Sequence, residues 1–144
     1  DSLDLYFTRF LPTTGSWAPP QLVTPAGYFD MTVFGSGPSA QIFLPAITWS
    51  TTTPPLFKVE LFLGNASGLP WIPVVLESTV TNNFTGVSIS DLSSLLATSF
   101  YVAYIEYSSI PPFERIKARW SGNSVSTIID TGINFAALVI ERGK

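Results

Sequence analysis

The sequence predicts an all-β fold: a two-sheet antiparallel sandwich or jelly-roll-like barrel of about ten short strands with one short helix. Two observations carry this. Short runs rich in β-branched and aromatic residues recur along the chain, each bounded by Gly, Pro, Ser or Thr clusters, which is the signature of strands at sandwich spacing. Only one segment, Ser90 to Ala97, has the apolar spacing of a helix.

The strands are expected at Leu3 to Phe10, Tyr28 to Phe34, Gln41 to Ile47 and Phe57 to Leu63, then at Val74 to Thr81, Val87 to Ile89, Phe100 to Tyr107, Glu114 to Trp120, Ser124 to Ile129 and Ile133 to Glu141. In the fourth, Lys58-Val59-Glu60-Leu61 alternates, placing Val59 and Leu61 on one face, before the run turns wholly apolar at Phe62-Leu63. Gly35-Ser36-Gly37-Pro38, Gly64-Asn65-Ala66-Ser67-Gly68 and Ser121-Gly122-Asn123 supply the residues that turns require. In the helical segment Ser90 suits the N-cap, Asp91 the positive end of the dipole, and Leu92, Leu95 and Leu96 share a side. Twelve prolines are expected in loops or at sheet edges. Leu11 to Pro25, rich in Pro and Thr, reads as an ordered loop packed on the body by Trp17, Leu22 and Val23.

The 144 residues suit a single domain, 1–144, long enough to bury a core without metal or disulfide support. Charged residues make up 12% against 46% hydrophobic. With so little surface charge to keep copies apart, association is expected. A net charge of −3 argues against nucleic acid as a partner, because phosphate neutralisation needs a basic stripe. No apolar run approaches the roughly 18–20 residues that span a bilayer. The chain opens Asp1-Ser2-Leu3-Asp4, without Met or a leader, as an excised or processed domain would.

The inventory for chemistry is narrow, since the chain has no histidine and no cysteine. Imidazole and thiol routes to catalysis and transition-metal binding are therefore closed. An oxygen-only Ca²⁺ site is chemically open, yet the carboxylates show no ligand spacing, so no metal ligand and no cofactor is assigned. Ile128-Ile129-Asp130-Thr131-Gly132 resembles the Asp-Thr-Gly motif of aspartic proteases, in which two aspartates share a proton. No second motif completes the pair in this chain, and a tight turn between two terminal strands is the expectation for it. Glu60, Glu77 and Glu106, on or beside strands, are the candidates for a glycosidase pair, although polar positions on half-exposed strands explain them more simply.

The candidates for receptor or glycan binding are Trp17, Trp71, Asn65, Ser67, Arg115, Lys117 and Arg119. Trp17 and Trp71 lie among prolines in expected loops, where an exposed ring would stack on a sugar face. Asn65 and Ser67 belong to the Gly64–Gly68 loop and, like Asn83, to an N-x-S/T triplet that permits glycosylation. Arg115, Lys117 and Arg119 alternate along one strand and so share a face, suited to an anionic partner or to a solvated edge.

In overall character this Pro/Ser/Thr-rich, weakly charged chain resembles the protruding surface domain of a small non-enveloped RNA-virus capsid protein, of the nodavirus or tombusvirus kind. That resemblance implies a non-enzymatic domain at the virion surface that clusters as dimers or trimers and carries host attachment on its distal loops. The alternative is a carbohydrate-binding module, or an adhesin or fibre-head domain, of a secreted or cell-surface protein.

Overall fold

Seven consecutive residues, Ile42 to Thr48, are buried in a single strand, so that strand must be covered on both faces. In the computed structural model, which describes residues 3–90, 100–121 and 123–132, this strand is β7 (Gln41–Trp49). Before it come β1 (Leu3–Phe7), β2 (Phe10–Leu11), β3 (Ser16–Trp17), β4 (Gln21–Ala26), β5 (Tyr28–Phe29) and β6 (Thr32–Phe34). After it come β8 (Phe57–Asn65), β9 (Gly68–Thr79), β10 (Asn83–Ile89), β11 (Tyr101–Tyr107), β12 (Glu114–Trp120) and β13 (Thr127–Gly132). The all-β expectation holds.

Two main sheets face each other. One is five-stranded: β5 and β6 pair end to end with β7, which pairs with β8, and β8 with β9. The other runs β10-β11-β12-β13, all antiparallel. Phe43, Ile47, Val59 and Leu61 from the first meet Phe84, Val87, Ile89, Val102 and Tyr104 from the second in one core. Phe84 stands edge-on to Tyr104, with ring centroids 5.5 Å apart at 89°.

A third layer explains why β7 and β8 are buried on both sides. The antiparallel pair β1–β4 covers the outer face of the five-stranded sheet, and Leu5, Val23 and Trp71 pack over a second cluster of Ala26, Leu44, Ala46 and Phe62. The break in alternation at Phe62 follows from this, because Phe62 looks away from the main core and into the second one.

Several expectations are corrected. Leu11 to Pro25 is not a loop but contributes β3 and most of β4. The Tyr28 to Phe34 run is split into β5 and β6 at Asp30-Met31. Leu69-Pro70-Trp71-Ile72-Pro73 lies within β9 rather than in a loop; β9 is the outermost strand of its sheet, where proline is tolerated. Pro45 sits inside β7, between two neighbours, against the expected confinement of prolines to loops and edges. Its carbonyl accepts from Asp30 N at 3.1 Å, so its nitrogen also faces the interruption between β5 and β6. No ladder partner stands there to miss an N–H. Asp130-Thr131-Gly132 is strand rather than turn, with Asp130 opposite Ile116. The expected helix from residue 91 onward and the strand Ile133 to Glu141 lie outside the described residues. Among the described residues no helix is long and apolar enough to cross a membrane.

The Asp30 kink also fastens the sheets together. Asp30 Oδ2 accepts from Ser88 Oγ at 3.0 Å and Ile89 N at 2.9 Å, both on β10, while Oδ1 accepts from Met31 N at 2.8 Å. Removing a charged acceptor of this kind costs about 1.5–3 kcal/mol per cross-sheet bond. Asp30→Ala is therefore expected to cost at least about 2 kcal/mol of stability in urea unfolding, seen as a lower midpoint, and a midpoint unchanged from wild type would show that the clip is idle.

Candidate functional site

The alternation of Arg115, Lys117 and Arg119 places them on one face, as expected, but that face looks inward. Their cross-strand partners on β11 are Glu106, Tyr104 and Val102, all buried in the space between the sheets. Lys117 Nζ bonds the Glu77 carboxylate on β9 and lies 3.5 Å from Glu106 Oε2. Arg115 Nη1 donates to the same Glu106 oxygen at 3.3 Å, and Asn82 Nδ2 donates to its Oε1 at 2.8 Å. Tyr104 joins through its hydroxyl, which bonds both Glu77 and Ser126. Arg119 donates to the carbonyls of Leu76 and Asn123. All three cations of the row are engaged within the domain.

This network brings Glu77 and Glu106 to one lysine, while Glu60 stays on the other face of its sheet, accepting from Thr48 Oγ1 at 2.6 Å with Lys58 Nζ 3.5 Å away. Burial alone would raise the Glu106 carboxyl, but the Asn82 hydrogen bond, the Lys117 charge and the Arg115 contact outweigh it and hold the group below its ordinary 4.5. A glycosidase acid needs a carboxyl held protonated near neutrality, and Glu106 is pushed the other way. Burial, reinforced by the Glu77 hydrogen bond, drives the Tyr104 hydroxyl far above the usual tyrosine range, so it stays a neutral hydrogen-bonding group. The protease motif fares no better: Asp130 Oδ1 accepts from Thr131 N at 2.7 Å on an exposed strand, facing Ile116 rather than a second carboxylate. Among the described residues no cluster of three or more acidic side chains is placed to hold a metal.

The aromatic candidates part ways. Trp71 packs edge-on against Phe7 at 5.2 Å and lies over Gly64, where an added Cβ would come within 2.6 Å of the indole ring. That close approach is why glycine is needed there. Trp17, 66% exposed, rests edge-on against Phe10 at 5.6 Å. A half-exposed pair that sequence reading did not single out, Tyr101 and Trp120, lies across β11 and β12 with rings 5.4 Å apart.

Ala66 and Ser67 form the two-residue hairpin loop between β8 and β9, with Asn65 closing β8 opposite Gly68. Asn65 Oδ1 accepts from Ser67 N at 2.9 Å and from the Ser67 hydroxyl, an Asx turn that fixes the corner. Against this corner lies a cleft of about 300 Å³ lined by Thr8, Arg9, Ala18, Gln21, Ser67 and Gly68. Trp17, the last residue of β3, precedes Ala18 in the chain but is not among the residues that line this cleft. Arg9 Nη1 donates to Ala66 O at 2.5 Å, and Thr8 Oγ1 donates to Ala18 O at 2.7 Å. The cleft thus gathers Ser67 with Arg9 and Gln21, which sequence reading missed. A larger groove of about 730 Å³ opens between the sheets among Leu63, Ile72, Val74, Phe100 and Trp120; its lining among the described residues is mainly apolar and holds no acid–base pair. In comparison with known proteins, the chain matches no family model, no curated protein and no solved structure.

Because the folded Glu106 value is depressed, its contribution to stability is complete above the unfolded value near 4.5 and is lost as pH falls through the lower folded value. Melting temperature is expected to drop on acidification below about pH 4.5 in wild type, and more shallowly in Glu106→Gln; parallel curves would remove Glu106 from the account. Lys117→Met leaves two carboxylates facing each other and is expected to cost about 3 kcal/mol or more in urea unfolding at pH 7. A cost below about 1 kcal/mol would place the pair in the class of solvent-screened surface bridges.

Proposed function

We propose that the chain is a non-enzymatic surface domain of a virion, assembling with copies of itself and carrying host attachment on its loops. The observation that carries this reading is the amount of large apolar side chain left facing water on a domain that already buries two hydrophobic clusters. On the outer layer Leu3 is 69% exposed and Tyr6 55%; on the β5–β6 side Phe29 is 56%; on β13 Ile128 and Ile129 are 52% and 63%. Monomeric domains rarely leave so much apolar surface without a use, and interfaces are where such surface is consumed. β13 is also the outermost strand of its sheet among the described residues, and an open strand edge invites pairing with another chain.

The absence of His and Cys and the neutralisation of Glu77 and Glu106 within the network support a binding role over catalysis. Engagement of Arg115, Lys117 and Arg119 inside the domain, with an acidic overall charge, supports a partner other than nucleic acid. Itself and a host receptor or glycan are the partners this reading names. A second reading, a carbohydrate-binding module or adhesin-type domain acting outside a cell, is favoured by the exposure of Trp17 and of the Tyr101–Trp120 pair.

Light scattering over a wide concentration range separates the two. The expected result is a dimer or trimer of the 15.6 kDa chain that weakens on dilution. A mass fixed at one chain at the highest attainable concentration would overturn the assembly reading in favour of the stand-alone binding module.

A further inference from the structure

We propose that the end of the sandwich formed by residues 50–56, 80–82 and 108–113 rests on a lipid surface of zwitterionic headgroups, touching the bilayer interface without crossing it. The inference goes beyond the function proposed above, in which the loops meet a receptor or glycan. These segments lie at one end because Trp49 stands opposite Phe57, Phe57 opposite Thr79, Asn83 opposite Tyr107 and Tyr107 opposite Glu114, while residues 80–82 alone carry the chain from one main sheet to the other.

Three observations point to lipid. The first is apolar exposure: Ile110 is 70% exposed, and Val80, Tyr107 and Phe113 at the same end are exposed with it. Apolar side chains gathered in this way mark a protein or a membrane contact. The second is charge, since none of residues 50–56, 80–82 and 108–113 carries one. Behind these loops Glu114 is half-buried at the start of β12, and Lys58 is paired with Glu60. A protein partner is selected through charged and polar contacts at the rim of an interface, and this end supplies no charge for such a rim. A zwitterionic headgroup layer asks for none, whereas an anionic leaflet repels a chain of net charge −3.

The third observation is the backbone. Taking a loop out of water costs free energy for each backbone donor left without a partner. In 108–113 that cost is small. Pro111 and Pro112 have no N–H, Ser108 N donates to Phe113 O at 2.7 Å, and Ile110 N donates to Ser108 Oγ at 3.1 Å. Ser108 is itself buried, so these bonds hold Ile110 out toward solvent instead of letting it fold back on the body. The 50–56 loop is closed in the same manner, with Ser50 N donating to Leu56 O and Leu56 N to Ser50 Oγ, both at 3.0 Å. Tyr107 adds a ring of the kind that settles at headgroup level, apolar at one end and wet at the other. A single myristoyl chain gives only reversible binding of about 10⁴ M⁻¹, and a tip of part-exposed side chains is not expected to exceed it. Clustered copies would multiply so weak a contact.

The test uses the whole chain, whose lack of cysteine lets a single introduced thiol mark one position. Ser109→Cys, beside Ile110, and Ser124→Cys, in the loop after Trp120 at the opposite end, both exposed, each carry an environment-sensitive NBD label and are mixed with phosphatidylcholine vesicles, with and without phosphatidylserine. With phosphatidylcholine alone the label at Ser109→Cys is expected to brighten and shift to the blue, and the label at Ser124→Cys to stay unchanged. Added phosphatidylserine is expected to weaken the response. Ile110→Asp and, independently, Val80→Asp in the Ser109→Cys background are expected to weaken vesicle binding at least about tenfold, the loss of part of one buried apolar side chain, with the urea midpoint in place. An unchanged spectrum at Ser109→Cys, equal changes at both labels, binding that requires phosphatidylserine, or binding untouched by both aspartates would each overturn the proposal. A response at Ser109→Cys that follows protein concentration without vesicles would also overturn it, making this end a contact between copies and leaving the assembly reading in place. Vesicle binding by a chain that stays monomeric would uphold the lipid contact and remove only the assembly reading.

Discussion

Carboxylates that cannot stay buried alone govern how the two main sheets sit on one another. Taking an ionised carboxylate out of water is costly unless hydrogen bonds or cations replace the solvent. On one side of the sandwich Asp30 meets that need from Ser88 and Ile89 of the facing sheet. On the other side Glu77 meets it from Lys117 and Tyr104, and Glu106 from Asn82, Arg115 and Lys117. The aromatic and aliphatic core between them attracts without direction. The directional contacts at its margins decide the register in which the sheets meet. This arrangement also explains how half-buried β12 can turn three cations toward the space between the sheets: Glu106 of the neighbouring β11 and Glu77 of the facing sheet meet Arg115 and Lys117, and backbone carbonyls meet Arg119.

The fold class was legible because it depends on local signals. Period-two alternation, β-branched content and Gly/Pro/Asn turns act over a few residues, and β7, β8, β11 and β12 follow them closely. What was not legible depends on neighbours distant in sequence. Proline marks a break only when its nitrogen faces a ladder partner, and Pro45 faces a gap made by Asp30, fifteen residues earlier (45 − 30). Pro70 and Pro73 lie in an outer strand, a position that becomes visible only once the sheet order is known. Alternation likewise showed that Arg115, Lys117 and Arg119 share a face. Which side of the sheet that face occupies was settled by Glu77, Glu106 and the Leu76 carbonyl.

The same logic applies to the glutamates. Glu77 and Glu106 were candidates because paired carboxylates can do acid–base work, and they do come together. What turns a pair catalytic is a difference in environment that holds one member protonated. Here one lysine sits between them and further donors surround Glu106, so the environment favours charge on Glu106 and uses it for cohesion. Proximity alone therefore distinguished little, and the direction of the electrostatic shift decided the matter.

The third layer adds a cleft that lies apart from what holds the fold. Because β1–β4 covers the outer face of the five-stranded sheet, the chain between them, with β2 and β3, is brought beside the β8–β9 corner. The cleft arises at that junction, from Arg9, Gln21 and Ser67, three segments whose convergence no local pattern announces. None of these residues belongs to either hydrophobic cluster. The cleft rim can therefore be changed while the carboxylate fastenings and the aromatic core keep the sandwich intact, because loops on a β scaffold vary independently of the elements they connect.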